Sequence, residues 1–323
     1  MQFNRQLFPG LAPPPGCRSE PDGSLITHFT PPGAAASTYV YDPRLVLALN
    51  VALATGRPLL VAGEPGSGKT TLAYNASLVL GWASYRYTVS SRSQASELLW
   101  ELDTLRRLND AYDPDRRLLG EDRYVEPGML WWALAPASAR RRGLDVEPED
   151  AAIAPPGHRD AGGAVLLIDE IDKAEPDVPN DLLEVLDTRS FSVRGRSVQA
   201  EREQVLVIIT TNLERELPGA FMRRCVVHRL PEAVPPWFSQ IAAERYPEIS
   251  AALAQTLEKR LVVYRDEARR RGTRLPGTAE YLDALQALVK LDVLDVQAAD
   301  QNPAWAQIER CVFGKQAQLE AAG

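Results

Sequence analysis

The octapeptide GEPGSGKT, Gly63–Thr70, sets three glycines ahead of a lysine and a threonine. Without Cβ atoms, Gly63, Gly66 and Gly68 can take positive φ and turn backbone N–H groups inward. A nest of amides at a helix N-terminus holds a polyphosphate, and a side chain on those glycines would intrude on its oxygens. The octapeptide fits the P-loop pattern G-x-x-x-x-G-K-[ST], with an apolar run (Pro58–Ala62) before it and helix-forming residues (Thr70–Leu80) after it. Glu64, Pro65, Gly66, Ser67, Gly68, Lys69, Thr70 and Thr71 would then line a nucleotide phosphate site. In this pattern the lysine, Lys69, contacts the β and γ phosphates and Thr70 gives its hydroxyl to Mg2+.

Such a site needs a carboxylate for the metal and a group that positions water, expected at the C-terminal ends of neighbouring strands. The run AVLLIDEID (Ala164–Asp172) supplies both. Asp169 would hold Mg2+ through a bound water, and Glu170 would polarise the attacking water. A further apolar run, VLVIITTN, ends in Thr210, Thr211 and Asn212, whose amide can bond the γ-phosphate and the lytic water. Arg223 and Arg224 follow in ELPGAFMRRC and are poor core material. An arginine offered to a neighbour's γ-phosphate stabilises charge in the transition state.

The elements that must position these groups alternate strand and helix up to about Pro235 and are helical afterwards. Asp42-Pro43 reads as an N-cap with proline at the first helical position, opening a helix with Leu45, Leu47, Leu49, Val51 and Leu53 that stops near Gly56. Tyr85–Ser90 reads as a strand and Gln94–Asn109 as one long helix. Between Asp110 and Gly163 the pattern is irregular: Arg123–Leu134 suggests a short hairpin, and the Pro- and Gly-rich stretch after it a surface loop, either a connector or functional. Trp131 and Trp132 are adjacent, so one is open to exposure, for a partner or for packing under the insert. Ser190–Ala200 alternates around Arg194-Gly195 as a hairpin. Ile249–Arg271, Thr278–Leu291 and Trp305–Val312 read as helices.

The 323 residues are enough for two domains, after an arm rich in Pro, Gly and Ala. Net charge is −7, which does not suit a general binder of nucleic-acid backbones. Two basic stretches, SARRRG (Ser138–Gly143) and RDEARRRGTR (Arg265–Arg274), read as solvated faces. Three cysteines far apart and three histidines argue against a disulfide framework or zinc site. Neither a signal peptide nor a membrane-spanning run is seen, so a soluble cytoplasmic protein is expected.

GEPGSGKT, LLIDEIDKAEPDVPNDLLEVLD, IITTN and LPGAFMRRC, in this order, resemble the AAA+ ATPases and among them the MoxR branch, over about residues 38–290. The resemblance implies a P-loop NTPase fold in the α/β class: a three-layer αβα sandwich with a five-stranded parallel sheet, then a small all-helical lid. It sets an arm at 1–37, the nucleotide-binding domain at 38–234 with an insert at about 110–163, and the lid at 235–323. It gives Lys69, Thr70, Asp169, Glu170 and Asn212 the Walker A, Walker B and sensor-1 roles. Arg224 takes the arginine finger, with Arg223 as the alternative. It also implies ATP and Mg2+ as cofactors and a homo-oligomer, commonly a hexameric ring. The client would be a protein, possible examples being those with von Willebrand A-type domains, in metal-cofactor insertion or bacterial conflict systems. A sensor-2 arginine is expected where Ala279 stands; Arg274 is the nearby substitute. Tyr39 and Val40 could pack on adenine or serve core or linker roles. Other readings of the same residues are a small-molecule kinase, a nucleic-acid motor and a switch that binds ATP without cleaving it.

Overall fold

The computed structural model describes residues 17–19, 24–30, 37–113, 118–296 and 305–314. Most of the arm expected over 1–37 thus lies outside the described residues. The chain opens with β1 (Cys17–Ser19), β2 (Leu25–Phe29) and β3 (Ser37–Tyr41). After these come α1 (Pro43–Thr55), β4 (Leu59–Ala62), α2 (Lys69–Leu80) and β5 (Ala83–Thr88). The chain continues with α3 (Ala95–Leu99), β6 (Trp100–Leu102), α4 (Thr104–Tyr112), β7 (Val125–Pro127), α5 (Met129–Leu134) and α6 (Pro136–Arg140). Next are β8 (Gly163–Asp169), α7 (Asp177–Thr188), β9 (Ser190–Val193), β10 (Arg196–Gln199) and β11 (Gln204–Thr211). α8 (Gly219–Arg224) and β12 (Val226–Arg229) precede four helices: α9 (Trp237–Arg245), α10 (Ala251–Arg271), α11 (Thr278–Lys290) and α12 (Trp305–Val312). Two compact units result. One holds the described residues up to Leu25, Tyr41–Ala62 and Lys69–Arg229. The other holds those of Ile26–Val40, the loop Gly63–Gly68, and those from Leu230 on.

In the first unit, five parallel strands run in the order β12-β4-β11-β8-β5, flanked by helices. All residues of β4 and β8 are buried, as their unbroken apolar runs require of strands covered on both faces. β4 and β8 are not neighbours, contrary to the expectation for the strands of the phosphate loop and of Asp169. β11 lies between, pairing with β4 through Ile208–Thr211 and with β8 through Gln204–Ile209. Thr211 and Arg229 stand opposite Ala62, and Thr88 opposite Asp169, so all five strands end in one row.

Local signals set the helix ends. The Asp42 carboxylate accepts from the N–H groups of Arg44 and Leu45, and α1 stops at Gly56 with φ 67°. Leu47 and Val51 are exposed, because a period of 3.6 residues cannot place every second residue on one face. The single helix expected over Gln94–Asn109 is broken. Trp100–Leu102 pairs with Val125–Pro127 as antiparallel strands, and Asp103 then caps α4 by accepting from the Arg106 N–H. Arg194 and Gly195 both take positive φ between β9 and β10, the two-residue hairpin expected there.

The expected surface loop after Leu134 is pinned in place. Arg142, in the stretch read as a solvated face, is buried: its Nε donates to Val125 O and its Nη2 to Glu126. Asp150 accepts from Arg106 and Arg123. Trp131 and Trp132 are both buried, which the sequence left open. α5 packs against β5 and β8, Trp131 meets Phe191 edge-on and Trp132 meets His158.

In the second unit, α9 to α12 close on Phe238, Leu253, Leu257, Leu261, Tyr281 and Leu285. Ser250 caps α10, and Gly272 ends it with φ 65°.

Candidate functional site

In the first unit the polar groups gather at the end of β8. Asp169 is 4% exposed. Its carboxylate accepts from Thr70 Oγ1 (3.0 Å to Oδ2), Thr210 Oγ1 (2.6 Å to Oδ1) and Arg86 Nη2 (2.9 Å to Oδ2). Thr70 sits in the first turn of α2, next to Lys69, which opens that helix and is buried. Glu170 takes the left-handed conformation, φ 62° and ψ 49°, unusual for a residue with a side chain. Thr210 holds it there: the same hydroxyl that donates to Asp169 accepts the Glu170 N–H at 2.9 Å. The Glu170 carboxylate accepts from Lys173 Nζ at 2.6 Å, and that bond raises the lysine pKa. Asp172, also buried, accepts the N–H groups of Asn212 (3.2 Å) and Glu214 (3.0 Å), which fixes the backbone that presents the Asn212 amide. The structure thus brings Thr70, Asp169 and Glu170 into one connected group and ties Asn212 to it through Asp172.

Arg223 and Arg224 end α8, both exposed, and Arg224 faces Asp187 of α7 at 3.3 Å. Asp169 and Glu170 are bonded by Thr70, Thr210, Arg86 and Lys173, and not by these two arginines, among the described residues. Thr71 is half-buried on α2.

In the second unit, Gly66 and Gly68 have φ 79° and 91°, the left-handed values a nest requires. Gly63 is not among the positive-φ glycines; its lack of a Cβ leaves room for Ser67 Oγ and Leu230, 3.0 and 3.3 Å from where that atom would lie. Tyr39 is buried with its ring 3.3 Å from the absent Cβ of Gly68, and Val40 is half-buried beside it. Ala279 lies against Gly66, 3.0 Å from the position of its absent Cβ, so the place expected for a sensor-2 arginine holds a methyl group. Arg274, the possible substitute, donates to Glu280 at 3.0 Å. Glu64 and Pro65 are half-buried in the loop.

The donor set fits the implied cofactors. Thr70 and Asp169 offer hard oxygens of the kind Mg2+ takes. Ser67 Oγ is buried without a hydrogen-bond partner among the described residues, inside a loop whose glycines turn the backbone into a nest. Thr210, Arg86, Lys173 and Asp172 have structural roles at the site that the sequence did not assign. The second aspartate of DEID was the available signal for Asp172. Arg86 had none, since its contact depends on strand pairing.

A family model described as AAA domain, dynein-related subfamily, matches residues 58–225, just over half of the 323 residues. The chain belongs to the AAA family. Its match covers the sheet from β4 to α8, and an AAA fold implies nucleotide binding. The chaperone protein ClpB of Malacoplasma penetrans is 33% identical over 112 residues, 30% of this chain. The match spans about 15% of the length of that curated relative. A variant of RuvB from Thermotoga maritima is 17% identical, over 83% of this chain and 68% of that chain, with a TM-score of 0.45. RuvB described as a Holliday junction branch migration motor, from the same organism, is 18% identical over 83% and 67%, with a TM-score of 0.42. No helix among the described residues is long and apolar enough to cross a membrane.

Proposed function

We propose that this AAA protein hydrolyses ATP with Mg2+ and works as a ring of like subunits that remodels or activates a partner protein. One observation carries the reading: the Thr70 hydroxyl and the Asp169 carboxylate meet at 3.0 Å, with Glu170 next in the chain. Thr70 and Asp169 would hold the magnesium ion, which supplies charge neutralisation for phosphoryl transfer. Lys69 and the loop amides bind and orient the triphosphate. Glu170 accepts a proton from the attacking water, and Lys173 has to release its carboxylate for that. Asn212 orients the same water. Arg224, or Arg223 as the alternative, is offered to the site of a neighbouring subunit, so assembly becomes a condition for turnover.

The arrangement of motifs favours a MoxR-like remodeller acting in the cytoplasm, with clients that include proteins bearing von Willebrand A-type domains. A nucleic-acid motor is less well supported, because the chain carries a net charge of −7. The test uses two substitutions. Lys69→Ala should abolish ATP binding, measured by calorimetry. Glu170→Gln should bind ATP and lose hydrolysis by about 10²- to 10⁴-fold, the range for a removed general base. Normal turnover in Glu170→Gln would overturn the assignment.

A further inference from the structure

Within the helical unit, Arg265 of α10 is the arginine with least contact to water that also faces the phosphate loop, at 3% exposure. A guanidinium in such a place is costly unless each face of it is matched. Three segments distant in sequence supply the match. Glu232 accepts from Nη2 at 2.5 Å, the Pro276 carbonyl accepts from Nη1 at 2.7 Å, and Glu64 of the phosphate loop lies 3.6 Å from Nη2. The Phe238 ring covers the guanidinium, its centroid 5.8 Å from Cζ. The contacts to Glu232 and Pro276 are hydrogen bonds. The one to Glu64 is longer than a hydrogen bond, an ion pair with room to shorten.

The turn that Arg265 holds is the turn that touches the loop. Pro276 leads into Gly277, whose absent Cβ would lie 3.3 Å from Pro65 O, and into Ala279, packed on Gly66. A longer side chain at residue 279 would displace Gly66, and Arg274 is engaged by Glu280. Within this unit the turn therefore meets the loop through the Gly277 backbone and the Ala279 methyl, and Arg265 adds its ion pair with Glu64.

We propose that Arg265 is a positioning residue that couples the loop to the 276–280 turn through Glu64, so that the helical unit responds to the loop's occupancy by this ion pair. The inference rests on the ATP reading above. Phosphate held by the amides of Gly66 and Gly68 shifts the loop backbone, Glu64 moves with it, and Arg265 passes the shift to the Pro276 carbonyl.

The test is hydrogen exchange of the amides of Gly277–Tyr281 with and without a saturating non-hydrolysable ATP analogue, beside titration of the same analogue by fluorescence. In the wild-type chain the analogue should slow exchange in this turn. Glu64→Gln should weaken binding about fivefold, as loss of a modest charge pair would, and lose the slowing even at saturation. Arg265→Lys should keep part of the slowing, and Arg265→Met should lose it. If Arg265→Met does not fold, Glu64→Gln still decides, since its side chain is 40% exposed and its fold can be checked by melting temperature. Full slowing in saturated Glu64→Gln would overturn the inference alone. A wild-type chain that binds no nucleotide would overturn it together with the ATP reading.

Discussion

The ends of β8 and β11 and the segment from Asp110 to Gly163 are both rich in charge, and they treat it in opposite ways. At the strand ends, Asp169 and Asp172 are satisfied by hydroxyls, backbone N–H groups and one arginine whose side chain is 58% exposed. Those partners are short or can swing away, which leaves carboxylate oxygens open to exchange for a ligand. Around Asp150, in the other segment, carboxylates and guanidiniums are matched to one another. Burial alone would raise the pKa of Asp150, but hydrogen bonds from Arg106 and Arg123 outweigh it and hold the carboxyl below its usual range. There charge serves to fix irregular backbone around Trp131 and Trp132. Asp169 and Asp172 thus rest mainly on hydroxyls and backbone N–H groups, whereas Asp150 rests on two guanidiniums.

Four substitutions would break or sharpen this contrast. Arg224→Ala should lower turnover by about 10³-fold, the smaller end for an arginine finger, in a steady-state phosphate-release assay. Its half-exposed pair with Asp187 contributes little stability, so unfolding by urea should shift by less than about 1 kcal/mol. Unchanged turnover would leave Arg223 as the finger. In the insert the effects should fall the other way. Trp131→Ala should cost about 3–5 kcal/mol in the same unfolding assay, the range for a deleted buried aromatic. Arg142→Met should cost about 2 kcal/mol, because the carbonyls of Val125 and Asp150 lose their donor. Nucleotide affinity in Arg142→Met should stay close to wild type; an equal loss there would show that the insert also shapes the site.

The smallest effect should be that of pH. His158 bonds the Tyr85 hydroxyl, and burial first, then Arg202, hold its pKa below 6.5 in the folded chain. The unfolded chain therefore binds more protons there, and this contribution to stability, present above pH 6.5, is lost as pH falls from 6.5 through the folded value. His158→Gln should flatten the melting-temperature profile between pH 7 and 5 by an equivalent of less than about 1 kcal/mol. Asp150 acts in a separate, more acid window: its folded pKa is depressed, so its contribution is present above 3.8 and lost as pH falls below that.

What could be read in advance follows from how local each signal is. GEPGSGKT and VLLIDE are contiguous, so the glycine bend and the acids after an apolar run stand out without knowledge of the fold. The hairpin at Arg194-Gly195 and the caps at Asp42 and Gly56 are equally local. The break inside Gln94–Asn109 was hidden, because the helical spacing is good and only pairing with Val125–Pro127 makes Trp100–Leu102 a strand. Arg142 and Arg265 looked solvated for the same reason: an arginine run shows its charge and not the carbonyls that await it.

By itself the sequence determined the phosphate loop, the acids at the end of β8, the α/β block and the helices that follow it. These rest on backbone freedom at glycine and on periodicity, both written over a few adjacent residues. Only the tertiary structure decided that β11 separates β4 from β8, that Thr210 holds Glu170 in its left-handed conformation, and that Ala279 stands on Gly66. Those depend on strand order and on contacts between residues tens to hundreds of positions apart, where no local propensity reaches.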